Sequence, residues 1–210
     1  MSYKKQVDKS IYEFENYMSK QRWCSFWHQL DEVQKLKPSG VLEIVPGPGL
    51  FKIVAGAVGL KVETLDLDPE LNPDHVGSVT SMPFGDATYD VVCAFQMLEH
   101  LPYDVSLQAL NEMVRVCRRN VVISLPDARP VWRYQVHLPK LGIHDFLVPR
   151  PQFRPAEHAF DGEHYWEINK LGYPLSKVLS DFERRAKLIN TYRVLDNPSH
   201  RFFVFEKTYS

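Results

Sequence analysis

Between residues 41 and 125 the chain alternates short apolar runs with segments whose apolar residues recur at helical spacing. Alternation of strand and helix predicts a mostly parallel, doubly wound sheet with helices on both faces. Nearly continuous apolar strands are expected there, because neither face of the sheet meets water. The predicted strands cover residues 41–45, 62–67, 75–78, 89–95 and 121–125, and the predicted helices between them cover residues 49–59 and 107–117.

Two helices are predicted before this region. Residues 10–13 match a capping box, in which a Ser and a Glu side chain satisfy the first amides of a helix. Apolar residues at helical spacing indicate a second helix over residues 23–36, and the Pro and Gly of residues 37–40 end it. We expect residues 1–38 to form N-terminal helices that cap a ligand site, and residues 39–210 to form the main domain.

The chain after the last of these strands is less regular. Residues 127–162 are rich in Pro, Arg, His and aromatic residues and show little periodicity. A structureless segment of this length inside a compact domain is uncommon and usually functional, so we expect an inserted lid or acceptor-binding segment. Beyond it, the pattern predicts helices at 163–171 and from Pro174, and strands at 186–195 and 201–208.

The first apolar run ends in VPGPG, residues 45–49, directly before a predicted helix. Gly47 and Gly49 allow the backbone to approach a ligand closely, and ligands bind beyond the carboxyl ends of the strands in such sheets. Asp66 ends the next strand, where a carboxylate can accept hydrogen bonds from ribose hydroxyls. Asp68 is a second candidate, although it can instead open a turn. This order of elements predicts a site for a nucleoside-containing ligand.

Two ligand classes share this design, the dinucleotides and S-adenosylmethionine. A dinucleotide site requires Gly-x-Gly-x-x-Gly with backbone amides that face a pyrophosphate, whereas here Lys52 stands at the third position and Pro48 has no amide. Glu43, inside the first strand, would repel a pyrophosphate but attract an ammonium or a sulfonium. The charge pattern therefore favours S-adenosylmethionine.

Three segments carry a resemblance to a known family. Residues 43–49, EIVPGPG, resemble motif I of class I methyltransferases; residues 79–92 and residues 95–101, FQMLEHL, resemble segments of the small-molecule, type 11-like branch. The resemblance covers about residues 40–126. It implies an α/β, Rossmann-like, doubly wound, mostly parallel seven-stranded sheet with an antiparallel C-terminal strand, in a single domain. It also implies a transferase that uses S-adenosyl-L-methionine to methylate a small-molecule acceptor by direct in-line transfer.

The resemblance assigns cofactor-binding roles position by position. Glu43 would orient the loop and the cofactor ammonium, Gly47 and Gly49 would permit close backbone approach, and Asp66 would hold the ribose. Val45 replaces the first Gly of motif I, so it would narrow the floor of the site unless it points into the core or the cofactor sits higher. The resemblance further assigns Leu67 and Val79 to the adenine and Gln96 to the methionine moiety.

The acceptor side is less defined by the sequence. His100 is a candidate general base because its ordinary pKa lies near neutrality, but it can equally organise the turn before the next helix. Trp132, His164 and Trp166 are candidates for contact with the acceptor. The histidines between residues 137 and 164 contain no pair at helical spacing, so no metal site is expected.

Composition limits the partners. The net charge of -1 lacks the basic surplus of nucleic-acid binders. No uninterrupted run of about 18 apolar residues predicts a membrane span, and no signal peptide is evident. Three scattered cysteines fit a reducing cytoplasm. We expect a cytoplasmic protein with a small-molecule acceptor; oxygen, nitrogen and carbon acceptors and the oligomeric state all stay open.

Two other functions are compatible with the same pattern. A non-catalytic S-adenosylmethionine-binding or scaffold protein would share the fold, and Val45 and the lack of an evident base fit it. A nucleotide-dependent oxidoreductase would share the strand, loop and helix order.

Overall fold

The computed structural model describes residues 14–208, and the capping box predicted at residues 10–13 lies outside this range. Within the described part of the chain, none of the helices combines the length and the apolar character needed to cross a bilayer. The strands are β1 Val41–Ile44, β2 Val62–Asp66, β3 His75–Val76, β4 Tyr89–Phe95, β5 Cys117–Pro126, β6 Val131–Leu138, β7 Gly142–Pro149, β8 Lys187–Arg193 and β9 His200–Glu206. The helices are α1 Phe14–Tyr17, α2 Lys20–Lys35, α3 Leu50–Ala57, α4 Tyr103–Val116 and α5 Leu175–Glu183.

Seven strands form one sheet in the order β3-β2-β1-β4-β5-β9-β8. The first five are parallel, while β9 runs antiparallel to both of its neighbours, β5 and β8. The predicted seven-stranded, doubly wound sheet with an antiparallel C-terminal strand is thus confirmed. From β1 the chain first builds β2 and β3 on one side and then crosses to β4 on the other. The carboxyl ends of β1 and β4 therefore flank the point where the winding reverses, which is where such sheets bind ligands.

Helices bury both faces of the sheet, because successive strand residues point to opposite sides. On one face, Phe26 of α2 and Phe51 of α3 pack with Val41 and other strand residues. On the other, Leu42 packs with residues of α4 and α5, among them Leu110. Glu43 lies on the α2–α3 side, so its carboxyl group is enclosed by helices as well as by neighbouring strands.

The prediction of a structureless segment over residues 127–162 is wrong for its first half. Strands β6 and β7 form an antiparallel hairpin, with Trp132 opposite Val148 and Tyr134 opposite Phe146. The signal was present in the sequence: apolar and polar residues alternate from Trp132 to Leu138, which is the period of a strand. The hairpin stands apart from the seven-stranded sheet.

The helix predicted at residues 163–171 is not formed. Residues 163–172 adopt turns, and their amides bond to other parts of the chain: the Tyr165 amide donates to the Glu99 carbonyl (2.8 Å) and the Ile168 amide to the Pro126 carbonyl (3.1 Å). These tertiary bonds replace the i→i−4 bonds that a helix would need. The predicted helix from Pro174 is confirmed as α5.

Trp166 belongs to the core. Its side chain is completely buried, its indole N–H donates to the Leu98 carbonyl (3.3 Å), and the Tyr103 ring packs edge-on against it with a centroid distance of 4.9 Å. We expect Trp166→Ala to lower the free energy of unfolding by about 3–5 kcal/mol, because it removes a large buried side chain. Equilibrium urea unfolding measures this.

Trp27→Ala is the matched control, because the Trp27 side chain is 57% exposed. A surface truncation of this kind changes stability by about 0.5 kcal/mol or less. Equal losses in the two variants would contradict the assignment of Trp166 to the core.

Candidate functional site

A cavity of about 780 Å³ opens at the carboxyl ends of β1, β2 and β4. This volume lies within the range of roughly 300–1,000 Å³ that small-molecule and cofactor sites span. Its walls come from the loops after those three strands, from α2, and from the segments that precede α5 and β9. Seven of the eight predicted cofactor residues line it: Glu43, Val45, Gly47, Asp66, Leu67, Val79 and Gln96.

The eighth, Gly49, is not among the described residues that line the cavity. It caps α3 with a left-handed backbone, φ 72°, a conformation in which a Cβ is strained. Gly49 therefore turns the chain from the loop into the helix.

Glu43 is a buried acid of the cavity, with only 4% of its surface exposed. Its neighbours in the sheet are Thr64 of β2 and Cys93 of β4, and its Oε2 has no hydrogen-bond partner among the described residues. Burial raises the pKa of this carboxyl well above its ordinary value, and the Lys52 ammonium opposes this only in part. An unpartnered buried acceptor of this kind is a site for a donor, and a cationic donor would also restore the charged form.

The two acids after β2 have different roles. Asp68 accepts a hydrogen bond from the Glu70 amide (3.0 Å) and caps a short 3-10 helix, Pro69–Leu71. Asp66 accepts one from the Asp68 amide through Oδ1 (2.9 Å), while its buried Oδ2 has no partner in the described part of the chain. Burial raises the pKa of Asp66. Of the two acids, Asp66 thus presents a buried acceptor without a partner among the described residues.

The backbone at the end of β1 is strained. Val45 has φ 53°, which is a rare conformation for a β-branched residue. Its amide donates to the Leu65 carbonyl of β2 (2.8 Å), so the sheet holds it in place. The side chain is 37% exposed and lines the cavity; of the two expectations for Val45, the one that points it into the core is wrong.

Gln96 stands in the same backbone region at the end of β4, with φ 52°. Its amide donates to the Ser124 carbonyl (2.9 Å) and its side-chain Nε2 donates to Ser124 Oγ (3.1 Å). These two bonds fix the side chain at the edge of the cavity, beside the loop after β1.

The far wall of the cavity carries histidines. The Nδ1 of His100 lies 3.1 Å from the Glu163 carbonyl oxygen, and burial lowers the His100 pKa to about 4, which weakens it as a general base near neutrality. The Nδ1 of His164 lies 2.9 Å from Glu167 Oε1, and this bond raises the His164 pKa. The two rings meet edge-on at 5.0 Å.

Of the three predicted acceptor contacts, only His164 lines the cavity. Trp132 lies on the β6–β7 hairpin and Trp166 in the core, and neither is among the described residues around the cavity. A run of aromatic residues cannot distinguish a lid from a satellite core, because both need the same apolar area. The positions of Trp132 and Trp166 do not support a contact of either residue with the acceptor.

Several lining residues were missed. Arg22, Ser25, Phe26 and Gln29 of α2 face the cavity together, and their i, i+3, i+4, i+7 spacing marks one helix face, so the signal was available. His200 also lines it, but no sequence pattern connects the start of β9 with the loop after β1.

Part of the chain is similar to a known protein family. Residues 42–125 match a family model described as a methyltransferase domain. A curated relative from Mycobacterium sp. (strain JLS), an uncharacterized methyltransferase, is 32% identical over 117 residues, which is 50% of this chain and 42% of the relative. The chain thus spans less than half the length of that relative.

Solved structures support the same fold. A Pyrococcus horikoshii OT3 protein superposes with a TM-score of 0.62 at 15% identity, covering 96% of this chain and 100% of the other. The 1,6-didemethyltoxoflavin-N1-methyltransferase of Burkholderia thailandensis, with 1,6-didemethyltoxoflavin and S-adenosylhomocysteine bound, gives 0.59 at 14% identity over 95% and 85% of the two chains. A Clostridium acetobutylicum S-adenosylmethionine-dependent methyltransferase also gives 0.59, at 6% identity over 95% and 96%.

The strain at Val45 leads to a test. Replacing Val45 by Gly removes a backbone cost of order 1–3 kcal/mol and adds about 0.4–1 kcal/mol of chain entropy to the unfolded state. We expect a net gain in the free energy of unfolding of about 1 kcal/mol, measured in urea. Val76→Gly is the control, because Val76 occupies an exposed strand position without positive φ, and this variant should lose stability. A loss of stability in both variants would contradict the backbone strain inferred at Val45.

The imidazole of His200 should make the free energy of unfolding depend on pH. Its Nδ1 has no partner among the described residues, and burial, aided by the nearby Arg22 and His164, lowers its pKa from 6.5 to about 3. Between these values the unfolded chain binds a proton that the folded chain does not, so acid weakens the fold by up to about 1.4 kcal/mol per pH unit. From pH 6.5 to 5 the wild type should lose up to about 2 kcal/mol relative to His200→Gln.

Urea unfolding of both proteins at pH 5, 6 and 7 measures this difference. His137→Gln, at an exposed position of β6, is the control whose curve should stay parallel to the wild type. A parallel curve for His200→Gln as well would show that His200 takes up its proton equally in both states.

Proposed function

We propose that the chain is a class I S-adenosylmethionine-dependent methyltransferase, which transfers the methyl group of S-adenosyl-L-methionine to a small-molecule acceptor. The proposal rests on the cavity at the carboxyl ends of β1, β2 and β4, where the methyltransferase domain of residues 42–125 places its loops.

The observation that carries the proposal is a pair of buried acceptors without partners. Oε2 of Glu43 and Oδ2 of Asp66 have no hydrogen-bond partner among the described residues, and both residues line the cavity. Unpartnered buried acceptors are costly, so a ligand that fits must bring donors to both. The ammonium and the ribose hydroxyls of S-adenosylmethionine are such donors.

The loop after β1 supports the same ligand over a dinucleotide. Residues 45–49 contain Pro46 and Pro48, which have no N–H to offer a pyrophosphate. The nearest acid, Glu43, would repel a phosphate at short distance. A ligand with a cationic end and no phosphate avoids both problems.

We assign the parts of the cofactor accordingly. Asp66 holds the ribose, Leu67 and Val79 contact the adenine, and Glu43 faces the ammonium. Gln96 lies beside the methionine moiety, at the end of the strand next to β1. Arg22 of α2 lines the same cavity and would hold the methionine carboxylate, because a guanidinium matches a carboxylate in charge and geometry. In this arrangement α2 covers the cofactor.

The acceptor belongs at the other end of the cavity, beside His100 and His164. The Burkholderia neighbour binds 1,6-didemethyltoxoflavin, and a net charge of -1 gives no advantage to a polyanionic partner. A small molecule is therefore the acceptor class that we propose. The sulfonium activates the methyl group, and the protein aligns the two reactants for in-line transfer and excludes water.

The ribose assignment is tested with S-adenosylhomocysteine in calorimetric titrations. Asp66→Ala should weaken binding by about 1–3 kcal/mol, roughly 5- to 150-fold, because it removes the acceptor of ribose hydroxyls. Asp68→Ala is the matched control: it removes a turn cap two residues away and should change the affinity less than threefold. Equal effects in the two variants would contradict the assignment.

Transfer itself is tested with methyl-labelled S-adenosylmethionine against panels of hydroxyl, amine and carbon-acid acceptors. Label in a product, lost when Asp66 is changed, supports the enzyme. Tight cofactor binding without transfer to any panel would favour the non-catalytic alternative.

A further inference from the structure

A cluster of two histidines and a glutamate lies where the cavity meets the core. Glu99 and His100 come from the short 3-10 helix after β4, Leu98–His100, and His164 comes from the turns before α5. One ligand atom from each of the three side chains lies within 4.8 Å of those of the other two. His164 lies more than 60 positions after the adjacent Glu99 and His100, so spacing alone did not reveal the cluster.

Both imidazoles are oriented in the manner of metal ligands. The Nδ1 of His100 faces the Glu163 carbonyl oxygen (3.1 Å) and the Nδ1 of His164 faces Glu167 Oε1 (2.9 Å). A carbonyl only accepts, so Nδ1 of His100 carries the proton, and a carboxylate fixes the same tautomer in His164. The lone pair of each ring is then on Nε2. Metal-bound histidines are almost always held by such a bond from their other nitrogen.

Glu99 is the independent observation. Its side chain is completely buried, and neither carboxylate oxygen has a hydrogen-bond partner among the described residues. A buried carboxylate without compensation is strongly unfavourable, and pairing with a cation or coordinating a metal is the usual solution. Burial raises the pKa of Glu99 to about 8, and the charges of His164 and Arg22 oppose this only in part.

A second group, Asp161, His164 and Glu167, shares His164. In that group His164 and Glu167 already bond to each other directly, which accounts for their proximity. Of these two groups of described residues, the one with Glu99 contains a buried carboxylate without a hydrogen-bond partner among the described residues.

We propose that Glu99, His100 and His164 bind a divalent zinc ion, with Glu167 as the carboxylate that orients His164. Two imidazoles and one carboxylate form a ligand set that zinc takes in sites with three protein ligands and one open position. His100 and His164 line the cavity, so the open position faces it. If the proposed methyl transfer is correct, a hydroxyl acceptor would coordinate there and lose its proton to water more readily, leaving the oxygen lone pair to attack the methyl carbon as the C–S bond breaks.

The test is direct metal binding by the full chain, without any acceptor. Protein freed of metal by dialysis against EDTA is titrated with Zn²⁺ by calorimetry and with Co²⁺ by visible absorption. We expect one Zn²⁺ per chain, and Co²⁺ bands of a low-coordinate site that Zn²⁺ displaces. Glu99→Gln and His164→Gln should abolish the bands, whereas Glu167→Gln should weaken binding about 10- to 100-fold, as expected for an orienting residue.

His137→Gln, at an exposed position of the β6–β7 hairpin, is the matched control and should bind Zn²⁺ like the wild type. Urea unfolding of each variant shows whether it is folded. If Glu99→Gln is not folded, metal binding by His164→Gln decides whether the cluster is the zinc site. No stoichiometric binding by the wild type, or unchanged binding by folded Glu99→Gln or His164→Gln, would overturn the proposal.

The zinc proposal and the proposed function fail separately. Binding of S-adenosylhomocysteine is measured with EDTA present, since no cofactor contact assigned above involves Glu99 or His164. Zinc binding without cofactor binding would support the metal site and contradict the proposed methyltransferase function. Cofactor binding without zinc binding would support the proposed function and contradict the metal site.

Discussion

The burial of the Glu43 carboxyl group in the central strand of a parallel sheet is the constraint on which the site depends. The carboxyl is enclosed by Thr64 and Cys93 on the neighbouring strands and lies on the side of the sheet covered by α2 and α3. Its Oε2 has no hydrogen-bond partner within the described residues 14–208, and an unsatisfied buried acceptor costs about 1–3 kcal/mol. Packing on both faces of the sheet offsets that cost. A ligand that brings a donor to Glu43 recovers part of it, so the fold itself favours binding at this point.

The same region also holds backbone strain. Val45 and Gln96 follow the ends of two neighbouring strands, and both have φ near +52°. The backbone amide of each residue donates a hydrogen bond to a carbonyl on the neighbouring strand, Val45 to Leu65 of β2 and Gln96 to Ser124 of β5. Strain of this kind persists where the surrounding structure over-determines the backbone, and it clusters at functional sites. The two bends lie just beyond the ends of β1 and β4, where both residues line the cavity.

The sequence predicted the sheet well because its signals are local. Apolar runs, helical spacing and the glycines of residues 45–49 each identify an element from adjacent residues, and the alternation then fixes the winding. Local signals failed where tertiary contacts decide. Residues 163–171 have a helical pattern, but the Tyr165 and Ile168 amides bond to Glu99 and Pro126 instead. Trp166 is of a residue type that is common in binding sites, yet its side chain lies in the core, where its indole N–H donates to the Leu98 carbonyl.

The candidate site likewise contains residues that the sequence could predict and residues that it could not. The acids at 43 and 66 were predictable, because Glu43 lies inside the first strand just before the glycine loop and Asp66 ends the second strand. The meeting of His100 with His164 was not, since it depends on how the segment before α5 returns over the end of β4. Strands β1 and β4 are adjacent, so their ends are separated by about one inter-strand spacing, ~4.8 Å. Glu43 on β1 and His100 in the segment after β4 line one cavity, and no other strand of the sheet lies between β1 and β4.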